Sequence, residues 1–455
     1  MAKFMKIKRF SILLIIFMLF FPILISQINI VDSTLREKSN KNTYPTLSNN
    51  NVELEWNRTW GGIGQDSAMD IEIDSANNIY VTGGYDMATM GASAFLLKYN
   101  SSGGLEWSRT WQDTGLTRTS SIAFDSLNNI YLTGFTYMPM FTNPHIILLK
   151  YTSGGVLDWY REIGVGDMSE AAGITIDSSN NIYLSGSATF GMNTDVLLVK
   201  CDSSGFVQWS KTWDGGAGEG ALEIVLDSSN NIYLSAGTNI PIGLPGNPNI
   251  ALIKYNSSGD KQWHSIRDGG GFDLCKGISL DSAENIYLAG VTEIAGNAQL
   301  CLVKFDPSGQ YQWNKTWGAA GDDMAMGIAI DSSDNIYLGG TSDIEVPLWH
   351  WHVGKISLVN YDSSGQYQWD HIRDETQKEG CFAVELDSTE ENIYLAGLTE
   401  NIGHNDTLLV KYKLSGASTN GDGKKDIRSY DIFLILIFTC LTLVYFIKKI
   451  RKEKK

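Results

Sequence analysis

From Met326 to Asp343 the chain reads MGIAIDSSDNIYLGGTSD, and the order of apolar and polar positions already specifies local structure. Gly327–Asp331 alternates apolar side chains with small or polar ones, the period of a half-buried strand. DSSDN is a cluster of turn formers. Asn335–Gly340 alternates again, so the two runs predict a β-hairpin. After a longer connection, ISLVNY (Ile356–Tyr361) predicts a third strand, DSSGQ a turn, and YQWDHI (Tyr367–Ile372) a fourth. These four strands are labelled A to D.

The same text recurs along the chain. A Trp is followed eighteen residues later by an Asp in Trp56/Asp74, Trp107/Asp125, Trp159/Asp177, Trp209/Asp227, Trp263/Asp281, Trp313/Asp331 and Trp369/Asp387. A period of about fifty residues with strand-like text marks a propeller, a solenoid or an array. A four-stranded unit has two large apolar faces and cannot bury both alone. Repetition around an axis buries them against neighbouring units and leaves only short edges. The recurring Trp of strand D is predicted to fill the interface between units rather than to form a binding stripe. The ends of the repeat region complete each other. VELEWNRTW (Val52–Trp60) is a strand D with no A, B or C before it, and LLVKYKLSG (Leu408–Gly416) is a strand C with no D after it. The expected fold is an all-β, seven-bladed β-propeller over residues 51–416, with four-stranded antiparallel blades and a 3+1 closure.

Units of the form GIAIDSSxNIYLxG…LLVKYDSSGxxQWSKTW resemble the SBBP-type β-propeller repeats of prokaryotic surface proteins and are more distantly similar to NHL-type blades. The resemblance covers all seven units. It implies the fold and exposure at the cell surface; the family shares no single ligand or reaction.

Both ends change the picture. Lys3, Lys6, Lys8 and Arg9 precede an apolar run from Phe10 to Ile25, which reads as a signal peptide or signal anchor over residues 1–26. Residues 27–50 read as a polar linker. Tyr430–Ile447 is apolar and long enough, at roughly 1.5 Å per residue, to span about 27 Å as a helix. KKIRKEKK (448–455) follows it and predicts a cytoplasmic tail. Residues 417–429 then form a polar stalk. The expected location is the cell membrane, with one span and an extracellular ectodomain, or two spans if the N-terminal segment is retained. Ten of the 35 basic residues lie in the first nine and last eight positions, against one of the 51 acidic ones. The stretch between carries 25 basic and 50 acidic residues, a net charge of −25. Such a surface repels nucleic acid, attracts cations and aids solubility.

Length variation picks out one surface. The residue ending strand C (Lys98, Lys150, Lys200, Lys254, Lys304, Asn360) stands nine positions before the Trp of strand D in every case. The A–B turn is fixed apart from one added residue in the seventh repeat. The variation sits between B and C, on the face shared with the D–A connections, and binding usually resides in loops on a rigid scaffold. Two B–C loops stand out. Asn239–Asn249 contains three prolines. Ile344–Lys355 contains Trp349, His350, Trp351 and His352, the candidate ligand-binding residues. In an extended chain both Trp face one way and both His the other. That suits an aromatic platform for a glycan or peptide, a two-His metal half-site lacking an evident third ligand, or a loop that clamps itself to the rim.

Eight residues before each repeat Asp stand Asp66, Thr117, Ser169, Glu219, Asp273, Asp323 and Glu379. They are expected to ring the channel mouth, where the carboxylates Asp66, Glu219, Asp273, Asp323 and Glu379 offer the oxygen chemistry of a Ca²⁺ site. The alternative is that each caps its own turn, which explains the Ser and Thr variants. The propeller itself requires no cofactor. The repeat Asp is expected to cap the A–B hairpin. Sequons at Asn57, Asn100, Asn256, Asn314 and Asn405 are candidate glycosylation sites on an exported chain. The five cysteines show neither disulfide nor metal spacing and are expected as buried thiols.

Three functions are compatible with this text: a surface-anchored binding or scaffolding ectodomain, an exported enzyme of lyase or glycosidase type using carboxylates at the channel mouth, or a structural envelope component. An enzyme is expected to break the repeat with unmatched polar residues at the channel. The unmatched cluster evident in the sequence is aromatic and lies in one outer loop, so a non-enzymatic role is favoured.

Overall fold

The computed structural model describes residues 51–86, 92–112, 115–137, 144–216, 218–239, 247–318, 321–344, 353–401 and 404–415. They form seven four-stranded antiparallel sheets. Blade six shows the plan, with β22 (Asp322–Ile330), β23 (Ile336–Ile344), β24 (Lys355–Tyr361) and β25 (Tyr367–Arg373) in sequence order. The seventh sheet has the order β1 (Val52–Trp60), β28 (His404–Leu414), β27 (Asn392–Asn401), β26 (Glu379–Leu386). The N-terminal strand therefore closes the ring beside the C-terminal three, as the orphan D and C texts require. Among the described residues no helix is long and apolar enough to cross a membrane. The apolar runs Phe10–Ile25 and Tyr430–Ile447 lie outside the described residues.

The seven A strands are β2 (Ser67–Ile73), β6 (Leu116–Phe124), β10 (Met168–Ile176), β14 (Gly220–Leu226), β18 (Asp273–Leu280), β22 and β26, and they line one central cavity. Each carries a register shift against strand B at the same place, for example between Ala68 and Asp70 and between Cys275 and Gly277. Such a bulge twists the strand and re-aims its side chains, here toward the axis. Strands B and C are almost wholly buried, as in blade one, whereas D is exposed along one side. That gradient puts A at the axis and D at the rim.

Core clusters span neighbouring blades. One joins Tyr131, Leu148 and Ile174 to Leu184 and Val199, from blades two and three. A buried Leu, Ile or Val side chain contributes about 1.5–3 kcal/mol relative to its exposed state, and this contact repeats around the ring. A row of four residues crosses each blade. In blade one Asp74 ends strand A, Tyr80 pairs with Lys98, and Lys98 pairs with Trp107. The Tyr80 and Trp107 rings meet edge to face at 6.0 Å, and Lys98 Nζ lies 5.5 Å above Tyr80.

The repeat Asp is the turn cap that its spacing predicts. Asp227 Oδ1 accepts the backbone N–H groups of Ser229 at 3.0 Å and Asn231 at 2.8 Å. Its Oδ2 accepts Asn231 Nδ2 at 2.8 Å and the Tyr233 hydroxyl at 3.1 Å. Turns also join blades. Ser388 Oγ of blade seven donates to Asn77 Oδ1 of blade one at 2.8 Å, and Ser332 Oγ donates to Glu390 Oε2 at 2.7 Å.

Candidate functional site

The two faces of the ring differ in kind. On one, every C–D turn is five residues long, from Asn100–Gly104 to Asp362–Gln366, and the A–B turns are equally uniform apart from the one added residue in blade seven. On the other, the B–C connection is two residues in blade three (Gly191, Met192) and ten in blade six, residues 345–354. The variable face is therefore the B–C/D–A face. Trp349, His350, Trp351 and His352 fall in the blade-six B–C segment of the sequence and lie outside the described residues.

The acidic positions do not ring the channel mouth as expected. None of Asp66, Glu219, Asp273, Asp323 and Glu379 lines the central cavity; all are buried where the D–A connection meets its own blade. Strand A starts at these residues, and their side chains turn back onto the connection that precedes it. Asp66 accepts the N–H groups of Gly62 and Asp86, each at 2.7 Å. Asp273 accepts Gly269 N–H at 2.6 Å and the Thr292 hydroxyl. Glu379 forms a buried 2.8 Å ion pair with Arg373. Thr117 and Ser169, the hydroxyl variants, also bond locally: Thr117 Oγ1 meets Thr136 Oγ1 at 3.0 Å, and Ser169 Oγ accepts Val165 N–H at 3.2 Å and donates to the Ile163 carbonyl. Among the described residues one group has metal-ligand spacing: Asp195, Asp214 and Glu219, with ligand oxygens within 4.8 Å of one another. Burial, then the charge of Asp214, raises the Asp195 carboxyl above its ordinary value.

The cavity along the axis, about 260 Å³ in volume, carries the chemistry that the repeat does not explain. Asp70 and Glu72 of blade one, Glu223 of blade four, Glu385 of blade seven and Lys276 of blade five all line it. At the position of Asp70 and Glu223, blades three, five and six have Gly173, Gly277 and Gly327. The Asp70 carboxylate accepts Ser121 Oγ at 2.8 Å and Ile122 N–H at 3.0 Å from blade two. Lys276 Nζ donates to the Phe382 carbonyl of blade seven at 3.2 Å. Burial first, and then the charge of Asp70, pushes the carboxyls of Glu223 and Glu385 up to about 8. Glu72 is raised as well, by burial and then by Glu385, Asp70 and Glu223. Like charges crowded into one space disfavour joint ionisation, which is why these carboxyls are raised together.

These channel residues were missed in the sequence because each strand A was read for its alternation alone. Superposing the seven repeats supplies the signal: charge at Asp70, Glu72, Glu223, Lys276 and Glu385 where most blades have small or apolar residues. The expectation that symmetry breaking is confined to an aromatic outer loop is thereby corrected.

The candidate glycosylation sites differ in setting. Asn57 is exposed on the outermost strand of blade seven. Asn100 and Asn256 cap their own C–D turns, each Oδ1 accepting two backbone N–H groups. Asn314 accepts the Tyr311 hydroxyl at 2.6 Å, and Asn405 is half-buried. Cys201, Cys275, Cys301 and Cys381 are free and buried.

No family model matches the chain, and no curated protein matches it. Solved structures do. A PL25 ulvan lyase bound to a GlcA–Rha3S fragment aligns with a TM-score of 0.49 at 10% identity, covering 79% of this chain and 96% of that one. Sqt1 from Chaetomium thermophilum gives 0.48 at 12% identity, covering 82% and 87%. YCF48 bound to a D1 peptide gives 0.45 at 12% identity, covering 83% and 99%. The chain is a seven-bladed β-propeller. At these identities the likeness concerns fold alone, and enzymes and non-enzymes stand side by side in it.

Proposed function

We propose that this protein is a membrane-anchored surface propeller, of the SBBP-repeat type that its sequence resembles, which binds a glycan or protein partner through its B–C/D–A face. The carrying observation is that length variation is concentrated on one face while the other is uniform. A scaffold that keeps one end constant and varies the other is built to present loops. The acidity of the exported part favours partners with cationic or neutral surfaces over nucleic acid. Anchoring by Tyr430–Ile447, with the basic tail inside, keeps the propeller outside the cell. In this reading the tryptophans of the blade-six loop are the aromatic anchors. A glycan and peptide screen with the full chain in detergent tests it, comparing wild type with the Trp349→Ala/Trp351→Ala double variant. The expected result is a hit whose affinity falls at least tenfold in the variant; unchanged affinity removes that loop from the binding face.

The channel supports a second reading, acid–base catalysis on a polysaccharide in the manner of a lyase or glycosidase. Its support is the convergence of unmatched Asp70, Glu72, Glu223, Glu385 and Lys276. Polysaccharide turnover that disappears in Glu223→Gln or Glu385→Gln, with the melting curve preserved, would favour it; turnover unaffected by both would end it.

A further inference from the structure

Both ends of the propeller leave it from the same face, and that face is chemically two-sided. Strand β1 begins at Val52 opposite Leu414, the last residue of β28, and Ser415 N–H donates to the Asn51 carbonyl at 2.7 Å. Leu414 N–H donates to the Glu391 carbonyl in the A–B turn of blade seven at 2.8 Å. The chain therefore enters and exits on the uniform A–B/C–D face, opposite the variable one.

Around this face, blades one to three expose Leu105, Leu127, Val156, Leu157, Phe206 and Val207. At the position of Leu105 the other side exposes Leu54 of blade seven, Tyr311 of blade five and Tyr367 of blade six, the two tyrosines with hydroxyls donating to Asn314 and Asp370. Leu127 is 73% exposed, Val156 64% and Phe206 59%. At the positions of Val156 and Phe206, blades four to six have Asp260, Gln310 and Gln366. Acid is more frequent on that other side, with Glu106, Asp158 and Asp202 the acidic residues beside the apolar ones in strands D and C–D turns of blades one to three. The left-handed residue of the A–B turn is Asn77, Asn128, Asn180 and Asn230 in the first four blades, but Glu284, Asp334 and Glu390 in the last three. Asp306 and Asp362 open the C–D turns of blades five and six, as Asp202 does in blade three. Large apolar side chains gathered on one sector of a polar face mark a contact surface.

We propose that the apolar sector, blades one to three of the A–B/C–D face, rests on the lipid surface that anchors the chain, with the variable face turned away from the membrane. The inference rests on the anchored reading given above. What selects lipid as the occupant is the tether. Fourteen residues separate Ser415 from Tyr430. Such a length reaches at most about 50 Å. The exit face is thus held near the bilayer at high effective concentration, which a second copy in solution does not share. Exposed Leu, Val and Phe side chains gain by entering the boundary between head groups and acyl chains. The acidic sector is left in water, which keeps its carboxylates solvated and away from anionic lipid.

Site-specific lipid quenching tests the orientation. The full chain, carrying Cys440→Ser, is labelled with one environment-sensitive fluorophore at Leu127→Cys, Phe206→Cys or Met192→Cys. Met192 lies on the opposite face and is 94% exposed, and the four described native thiols are buried. Each labelled protein is placed in phosphatidylcholine vesicles with a nitroxide lipid that quenches at the head-group boundary. The expected result is quenching at positions 127 and 206 at least threefold above that at 192. Equal quenching at all three, or the strongest at 192, overturns the orientation while vesicle flotation upholds the anchor. Energy transfer between labels at position 127 without lipid quenching assigns the sector to a second copy and also overturns it. A chain that does not float with vesicles removes the anchored reading and this proposal together.

Discussion

Gly365, in the C–D turn of blade six, lies so close to the indole of Trp313 on blade five that a Cβ would stand 2.6 Å from the ring. The relation repeats in Gly103/Trp56, Gly155/Trp107, Gly205/Trp159, Gly259/Trp209 and Gly309/Trp263, always from one blade to the next. The Trp of strand D is thus a contact between blades. Its glycine partner has a positive φ (+75° at Gly365), which only glycine adopts without strain.

Gly365→Ala is expected to destabilise the protein by about 2–5 kcal/mol. About 1–2 kcal/mol comes from the left-handed backbone and about 1–3 kcal/mol from overpacking against the indole. Gly191 separates the two effects, because its φ is +65° but a Cβ there meets nothing within 4 Å. Gly191→Ala should cost only the backbone part. Chemical denaturation of both variants checks this; equal losses would show that the indole contact carries no weight.

Asp227→Ala is expected to cost about 2–4 kcal/mol, since it orphans two turn N–H groups and the buried Tyr233 hydroxyl together. Asp227→Asn keeps an acceptor for the backbone donors and should recover part of the loss. Thermal melting of the two variants decides. An alanine variant as stable as wild type would mean that the repeat Asp is not the cap described above.

The pH dependence has two limbs of opposite sign. Glu223 and Glu385 have folded values of about 8 against an ordinary 4.5. The unfolded chain therefore binds fewer protons between those values, and stability falls as pH rises from about 4.5 to about 8. Asp125, Asp177, Asp227 and Asp281 behave the other way. Burial pushes each upward, but the adjacent Asn side chain and turn N–H groups outweigh it and leave the carboxyl below 3.8. Their contribution is present above that value and is lost as pH falls through the folded one. Maximum stability is expected at about pH 4–5. Melting temperatures from pH 3 to pH 9 check the curve, and Glu223→Gln/Glu385→Gln should flatten the limb above pH 5. An unaltered limb in that variant would locate the proton linkage elsewhere.

What could be read from the sequence follows from what repetition repeats. Alternation, turn text and the Trp-to-Asp interval belong to every blade, so blade number, strand order and closure were legible. Val52–Trp60 appears as β1 over the same residues. The capping role of Asp227 was legible too, because an Asp opening a turn accepts the backbone N–H two residues on, here that of Ser229. The channel was not. Asp70, Glu223 and Glu385 are more than 150 residues apart in sequence, and only ring closure brings blade seven beside blade one. The acidic run from Asp66 to Glu379 was misplaced for a related reason. Position before strand A says which end of the strand a residue occupies, but not whether its side chain turns to the axis or back to its own loop.

Cys275 and Cys301 meet at 3.7 Å between sulfur atoms, although neither was paired by its sequence position. Between them on the middle strand stands Gly290, in register with both, and its missing side chain leaves the space in which the thiols touch. Disulfide formation is nonetheless barred. Strands A and C are two inter-strand spacings apart, about 9.5 Å, whereas a bridge requires Cα atoms within about 7 Å. Burial first, and then the neighbouring Cys301, also pushes the Cys275 thiol well above its ordinary value, so the nucleophilic thiolate is suppressed. Treatment of the folded chain with diamide should therefore leave the thiol count in denaturant unchanged. A loss of two thiols with a mass lower by about two units, mapped to Cys275 and Cys301, would show that blade five opens far enough to bring strands A and C together.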